Sequence, residues 1–191
     1  QTGFTHVGLR LLPATPSDPD YDMLGDTAAV RDTLAALMET DNAGRPLIDA
    51  WINRSGLSAD AWLEKLFEAT VIPFYHLLCR YGVALIAHGQ NVTLVMKNSI
   101  PQRILLKDFQ GDMRLVDEDF PQAQSLPDQV KAVTARLSAD YIIHDLQTGN
   151  FVTVLRFISR LTLQCGVSEI RFYQILAGVL RRYMAAHPEL A

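Results

Sequence analysis

The chain has 191 residues, of which 49% are hydrophobic and 20% charged, with a formal net charge of −4. That is enough apolar material for a buried core in one domain or one lobe of a larger protein, and it excludes a disordered chain. The acidic balance leaves no basic surplus to track a phosphate backbone, so no nucleic-acid partner is expected.

Phe4 to Leu12 alternate weakly and stop at Pro13, and with the Pro/Asp-rich stretch Ala14 to Asp20 they predict a strand leaving into a loop. Within Asp26 to Met38, the residues Ala29, Val30, Leu34, Leu37 and Met38 fall at helical spacing and predict a short helix. The breaker Asn42 to Pro46 separates it from a second helical stretch through Trp51. Ser58 is placed to cap a third helix, with Leu57 and Trp62 at staple positions. That helix carries Trp62, Leu63, Leu66 and Phe67, then Phe74, Leu77 and Leu78 beyond an expected kink at Pro73, and ends near Tyr81-Gly82.

The pattern then changes to β-rich. Val92 to Met96 and Arg103 to Leu106, joined by Asn98-Ser99-Ile100-Pro101, predict a hairpin, and Met113 to Val116 a further short strand before the acidic turn Asp117-Glu118-Asp119. Helical spacing returns over Gln129 to Leu137, over Tyr141 to Leu163 with a break near Thr148-Gly149, and over Ser168 to Ala186. The expected class is α+β: helices around a small antiparallel hairpin sheet, followed by a helical bundle. One domain over 1–191 divides into an entering strand and loop (1–25), helices plus a hairpin (26–120) and the bundle (121–191).

Cys79 and Cys165 are far apart and match no zinc spacing, so both are expected as reduced thiols in a cytoplasmic protein. No apolar run reaches the roughly 18 to 20 residues of a bilayer span, because His76, Arg156 and Arg160 interrupt the longest ones, and no membrane association is expected. The sequence begins at Gln1 without a basic leader or signal-type apolar core, which is the expectation for a piece of a longer, non-exported protein.

The segment with chemical content is Ala87-His88-Gly89-Gln90-Asn91, then the hairpin, then Lys107-Asp108-Phe109-Gln110-Gly111-Asp112. A hairpin brings its two ends together, so His88 and Asp108 are expected at one site. Asp108, helped by the amide oxygen of Gln90 or Asn91, suits Mg²⁺, which binds through few protein groups plus phosphate oxygens. His88 and the amides can donate to phosphate or carboxylate oxygens. A loop, a hairpin and an Asp-Phe-x-Gly sequence also share a general layout with protein kinases, although His-Arg-Asp is missing. The same residues equally fit a polar turn between a helix and a strand, followed by an ordinary strand exit. Asp117 to Asp119 read as a solvated turn, His76 and His144 as helix histidines without a ligand role, and Arg181-Arg182 as a helix end that suits the macrodipole.

Tyr81 to Leu85 leading into His88-Gly89-Gln90-Asn91, Pro101 before the second strand, Arg103, and then Lys107 to Asp112 together resemble the carboxy-terminal region of the aerobactin synthetase family, the NRPS-independent siderophore synthetases. The resemblance is strongest over Val30 to Leu115. It implies the palm of a cupped-hand enzyme, an ATP- and Mg²⁺-dependent ligase that adenylates a carboxylate and condenses it with an amine, hydroxylamine or alcohol, in a homodimer. It also implies that His88 and Asp108 are catalytic, that His88, Gln90, Asn91, Arg103 and Lys107 bind nucleotide, and that Asp108 and Asn91 hold the metal. An alcaligin-type substrate is suggested by overall similarity.

The chain departs from the family pattern at Ile86, where a Glu is frequent, at Lys107 in place of Arg, and at Gln110 in place of His. The exchange at Lys107 keeps the charge and loses the bidentate fork. The rival readings are an iron-handling reductase, whose two-iron cluster needs four cysteines where this chain has two, a kinase-like phosphotransferase, and a noncatalytic helical interaction module.

Overall fold

The computed structural model describes residues 29–86, 88–107 and 112–190. The strand and loop expected over Phe4 to Asp20 lie outside them. Where a helix is expected over Asp26 to Met38, the chain instead forms strand β1 (Ala29–Thr33) and a 3₁₀ turn over Leu34–Met38. The reason lies far away in sequence: β1 pairs with a strand whose partners run from Thr93 to Lys97. Leu34 and Leu37 are both buried, and their spacing of three aligns them on one side of a 3₁₀ turn.

Helix α1 (Leu47–Ser55) follows Pro46 and ends at Gly56, whose φ of 72° is the left-handed geometry of a helix stop. Helix α2 (Ala59–Tyr81) starts as expected at Ser58, whose Oγ accepts from the N–H of Ala61 at 3.3 Å, and runs without interruption through Pro73. Gly82 closes it with φ 63°, its N–H reaching the Leu78 carbonyl at 2.9 Å.

Three strands follow α2 in short order: β2 (Val83–Leu85), β3 (Val92–Lys97) and β4 (Ile100–Leu106). The β3–β4 turn is tighter than expected. Asn98 and Ser99 alone make it, with φ 52° and 63°, the mirror-image turn that matches strand twist. Ile100 and Pro101 already belong to β4, and a register shift between Val95 and Met96 accommodates the proline opposite Met96. The Nε1–H of Trp62 on α2 donates to the Ser99 carbonyl and ties this tip to the core. Strand order in this first sheet is β1-β3-β4, all antiparallel.

Strand β5 (Met113–Val116) forms where expected but leaves the hairpin to pair antiparallel with β2. Two short helices follow, α3 (Pro121–Gln124) and α4 (Asp128–Val133). The helix expected over Gln129 to Leu137 stops at Val133, and Ala135–Leu137 becomes β6, parallel to β5. The second sheet, β2-β5-β6, is therefore mixed, where the sequence suggests one small antiparallel sheet. Helix α5 (Ala139–Leu146) seats Ile142 against Ala84 and Val116 of that sheet.

The break expected near Thr148-Gly149 is instead a π-helix over Gln147–Leu155, continuing into α6 (Arg156–Leu161). Helix α7 (Glu169–Ala186) begins at Ser168, whose Oγ accepts from the Arg171 N–H as the sequence predicts. Its apolar face (Phe172, Ile175, Leu176, Val179) packs on α2, where Phe67 and Phe172 meet edge to face at 5.0 Å. Arg171–Asp60 at 2.7 Å and Arg182–Glu64 at 3.5 Å bridge the same two helices at the surface. The α+β class holds. No helix among the described residues is long and apolar enough to cross a membrane.

Candidate active site

The candidate site lies where the two sheets meet. One connection leaves β2 at Ile86 and enters β3 after Asn91; the other leaves β4 at Lys107 and enters β5 after Asp112. Pairing of Leu85 with Met113 and of Val92 with Leu106 sets the ends of the two connections side by side. Backbone bonds then join them. The Ile86 N–H donates to the Asp112 carbonyl at 3.0 Å, and the Lys107 N–H to the Asn91 carbonyl at 3.2 Å. Within the first connection, the His88 N–H reaches the Ile86 carbonyl and the Asn91 N–H reaches the His88 carbonyl, both at 3.0 Å. Gly89 is buried against the 3₁₀ turn, its carbonyl accepting from the Ala35 N–H at 3.1 Å. A β-carbon at Gly89 would meet the Ala35 backbone at 3.1 Å, so this close approach favours glycine.

This framework brings three side chains together. Asn91 Nδ2 donates to Asp112 Oδ2 at 2.7 Å and lies 3.2 Å from His88 Nε2, while His88 Nε2 and Asp112 Oδ2 are 3.8 Å apart. Asn91 Nδ2 facing His88 Nε2 assigns the acceptor role to that nitrogen, which leaves Nδ1 as the donor of a neutral ring. His88 and Asp112 are each partly exposed, so the group is open to a ligand. Leu85, Val92 and Leu106 form the apolar floor of a small cleft with Asn91, Lys107 and Asp112 on its polar side.

Of the residues expected at the site, His88 and Asn91 meet directly, and Lys107 joins them through its backbone with its side chain exposed. Gln90 is exposed on the same turn. Arg103 stands apart, exposed on β4 opposite Val95, about 13 Å along the strand from Lys107 at 3.3 Å per residue. Asp108, the expected catalytic carboxylate and metal ligand, lies outside the described residues. The residue that sequence reasoning passed over is Asp112. It is the second carboxylate of the same motif, and the strand run directly after it was the available signal.

The donor chemistry fits Mg²⁺ carried on a nucleotide. Asn91 has an amide oxygen turned away from Asp112 and His88, a hard donor of the kind Mg²⁺ takes, while the Asp112 carboxylate is engaged by the Asn91 amide. Among the described residues no group of three or more His, Cys, Asp or Glu side chains forms a cage for a metal ion. A cation here would therefore rely on phosphate oxygens and water for much of its shell.

A family model described as "Ferric iron reductase FhuF-like transporter" matches residues 60–191. The chain is 65% identical over 158 residues to aerobactin synthase of Escherichia coli, covering 83% of this chain and 27% of that protein. Among solved structures, aerobactin synthetase IucC from a hypervirulent pathotype of Klebsiella pneumoniae superposes with a TM-score of 0.84 at 63% identity, over 86% of this chain and 30% of that one. ATP-bound aerobactin synthetase IucA from the same source shares the fold, with a TM-score of 0.68 at 19% identity over 80% of this chain and 29% of that one. The chain thus spans less than a third of the length of these relatives. It belongs to the IucA/IucC family of NRPS-independent siderophore synthetases, as their FhuF-like carboxy-terminal region.

Proposed function

We propose that the polypeptide containing this region is an ATP-dependent siderophore synthetase that joins a carboxylic acid to an amine or hydroxylamine through an acyl-adenylate. A carboxylate oxygen attacks the α-phosphorus of ATP and pyrophosphate leaves. The nitrogen nucleophile then attacks the acyl carbon, AMP departs with the bonding electron pair, and the nucleophile gives up its proton. The observation that carries this reading is the convergence of His88, Asn91 and Asp112 at the sheet junction, in a chain so similar to aerobactin synthase.

Each residue has a role that its chemistry supports. His88 uses its Nδ1–H to stabilise charge developing on the acyl carboxylate or α-phosphate. Asn91 and Asp108 supply hard oxygens for Mg²⁺, which when bound neutralises triphosphate charge. Gln90 and the Lys107 ammonium contact phosphate oxygens. Arg103 takes a peripheral place, reaching the nucleotide only from mid-strand. The high identity to aerobactin synthase favours an aerobactin-type product over the alcaligin type. The acid and amine are small molecules, the enzyme works in the cytoplasm, and it assembles as a homodimer.

The reductase reading has less support. A two-iron cluster takes four cysteine ligands, and this chain supplies only Cys79 and Cys165. Product analysis separates the other readings. Incubation of the full-length protein with ATP, Mg²⁺, citrate-derived acids and hydroxylamines is expected to give AMP and pyrophosphate in step with the condensed product; ADP in their place would mean phosphoryl transfer.

A further inference from the structure

Asn91 lies within hydrogen-bond distance of both other members of the site, and its orientation decides what it can bind. Its amide presents either two hydrogens or one oxygen to a neighbour. In the structure Nδ2 faces Asp112 at 2.7 Å and His88 at 3.2 Å. The flipped amide would set Asn91 Oδ1 at that short distance from the carboxylate of Asp112, two acceptors with no proton between them. The carboxylate therefore selects one rotamer through a charge-assisted bond.

Resting on the synthetase reading above, we infer that Asp112 is a positioning residue: by accepting from Asn91 Nδ2 it locks the amide with Oδ1 directed away from both partners, where it would serve as a hard oxygen donor to a metal carried on the nucleotide. Asp112 is itself well fixed for this task. It immediately precedes β5, and its carbonyl accepts from the Ile86 N–H at 3.0 Å, so the β2–β5 pairing holds the carboxylate in place. Asp112 is the second carboxylate of the motif, four residues after Asp108. In this account Asp112 acts through Asn91 and does not ligate the metal.

The test is calorimetric binding of ATP to the full-length protein, with Mg²⁺ and then with EDTA, for wild type, Asp112→Ala, Asp112→Asn, Asn91→Ala and the Asn91→Ala/Asp112→Ala double variant. Melting temperatures confirm folding. Loss of one charge-assisted bond predicts that Asp112→Ala weakens Mg²⁺-ATP binding about tenfold and leaves binding in EDTA unchanged. Asp112→Asn keeps an acceptor and should stay within about threefold of wild type. The double variant should bind no more weakly than Asn91→Ala alone, because the two residues act as one unit. An unaffected Asp112→Ala, an Asp112→Asn as damaged as Asp112→Ala, or additive losses in the double variant would each overturn the inference while leaving the synthetase reading intact. Should Asp112→Ala fail to fold, Asp112→Asn decides between the positioning and ligand roles. Wild-type protein that binds no Mg²⁺-ATP overturns both.

Discussion

The indole Nε1–H of Trp62, fully buried on α2, donates to the carbonyl oxygen of Ser99 at the tip of the β3–β4 hairpin, 2.8 Å away. This bond crosses from the helical core to the far end of the strands whose near ends build the site. Trp62→Phe deletes the donor, leaves the Ser99 carbonyl without this partner and removes ring volume from a packed core. The expected loss is about 2 to 4 kcal/mol of stability, read by urea unfolding. A change below about 0.5 kcal/mol, the range of ordinary surface substitutions, would mean that the tether contributes nothing.

The two long helices should each depend on their first residues. Ser58 and Ser168 both accept from a backbone N–H three residues on, and replacing either by Ala is expected to cost about 1 kcal/mol. Thermal unfolding of the two single variants checks this. Neither cap touches the candidate site, so nucleotide binding at a temperature below the transition should be unchanged.

Elements whose signals are local were legible in the sequence. The Ser58 and Ser168 caps, the glycine stop after Tyr81 and the β-branched runs of the hairpin each depend on neighbours within a few residues. Strands that exist only because a distant partner is available were not. Ala29–Thr33 has helical spacing but completes the edge of β3, and Ala135–Leu137 completes the edge of β5. The site was half legible for the same reason. The hairpin explains why the His88 turn meets Lys107, but Asp112 arrives through the pairing of β2 with β5, which no local pattern announces.

Gly89 and Gly56 provide a contrast between a site glycine and a structural one. At Gly89 an added β-carbon meets the Ala35 backbone at 3.1 Å, so Gly89→Ala should displace the turn that carries His88 and Asn91. Mg²⁺-ATP affinity is expected to fall at least about tenfold, the lower end of the loss when the support of a metal site is disturbed. At Gly56 the space is open but φ is 72°, so Gly56→Ala should cost about 1 kcal/mol of stability and leave affinity unchanged. Binding and melting measurements on both variants distinguish the two effects.

A pH response is expected from the other end of α2. His76 contacts the Tyr183 hydroxyl and is faced by Arg80 and Tyr81 from its own helix, His187 beyond α7, and Glu189. Burial, reinforced by His187 and Arg80, lowers its pKa below the ordinary value, so the fold favours the neutral imidazole. Below about pH 6.5 the unfolded chain takes up the proton first. The stability that His76 contributes is thus present above that pH and lost as pH falls below it. His76→Gln should flatten the decline in melting temperature between about pH 7 and pH 5. An unchanged slope would assign the acid sensitivity to other groups.

The most direct test of the central claim is acid-dependent ATP–pyrophosphate exchange by the full-length protein, comparing wild type with His88→Ala, Asn91→Ala and Asp108→Ala. The account predicts exchange that requires both Mg²⁺ and a specific carboxylic acid, and that falls by at least about a hundredfold in each variant, the scale of losing a group that stabilises transition-state charge. Exchange that persists undiminished in His88→Ala and Asn91→Ala, or wild-type protein that yields ADP and no exchange with any acid, would contradict it.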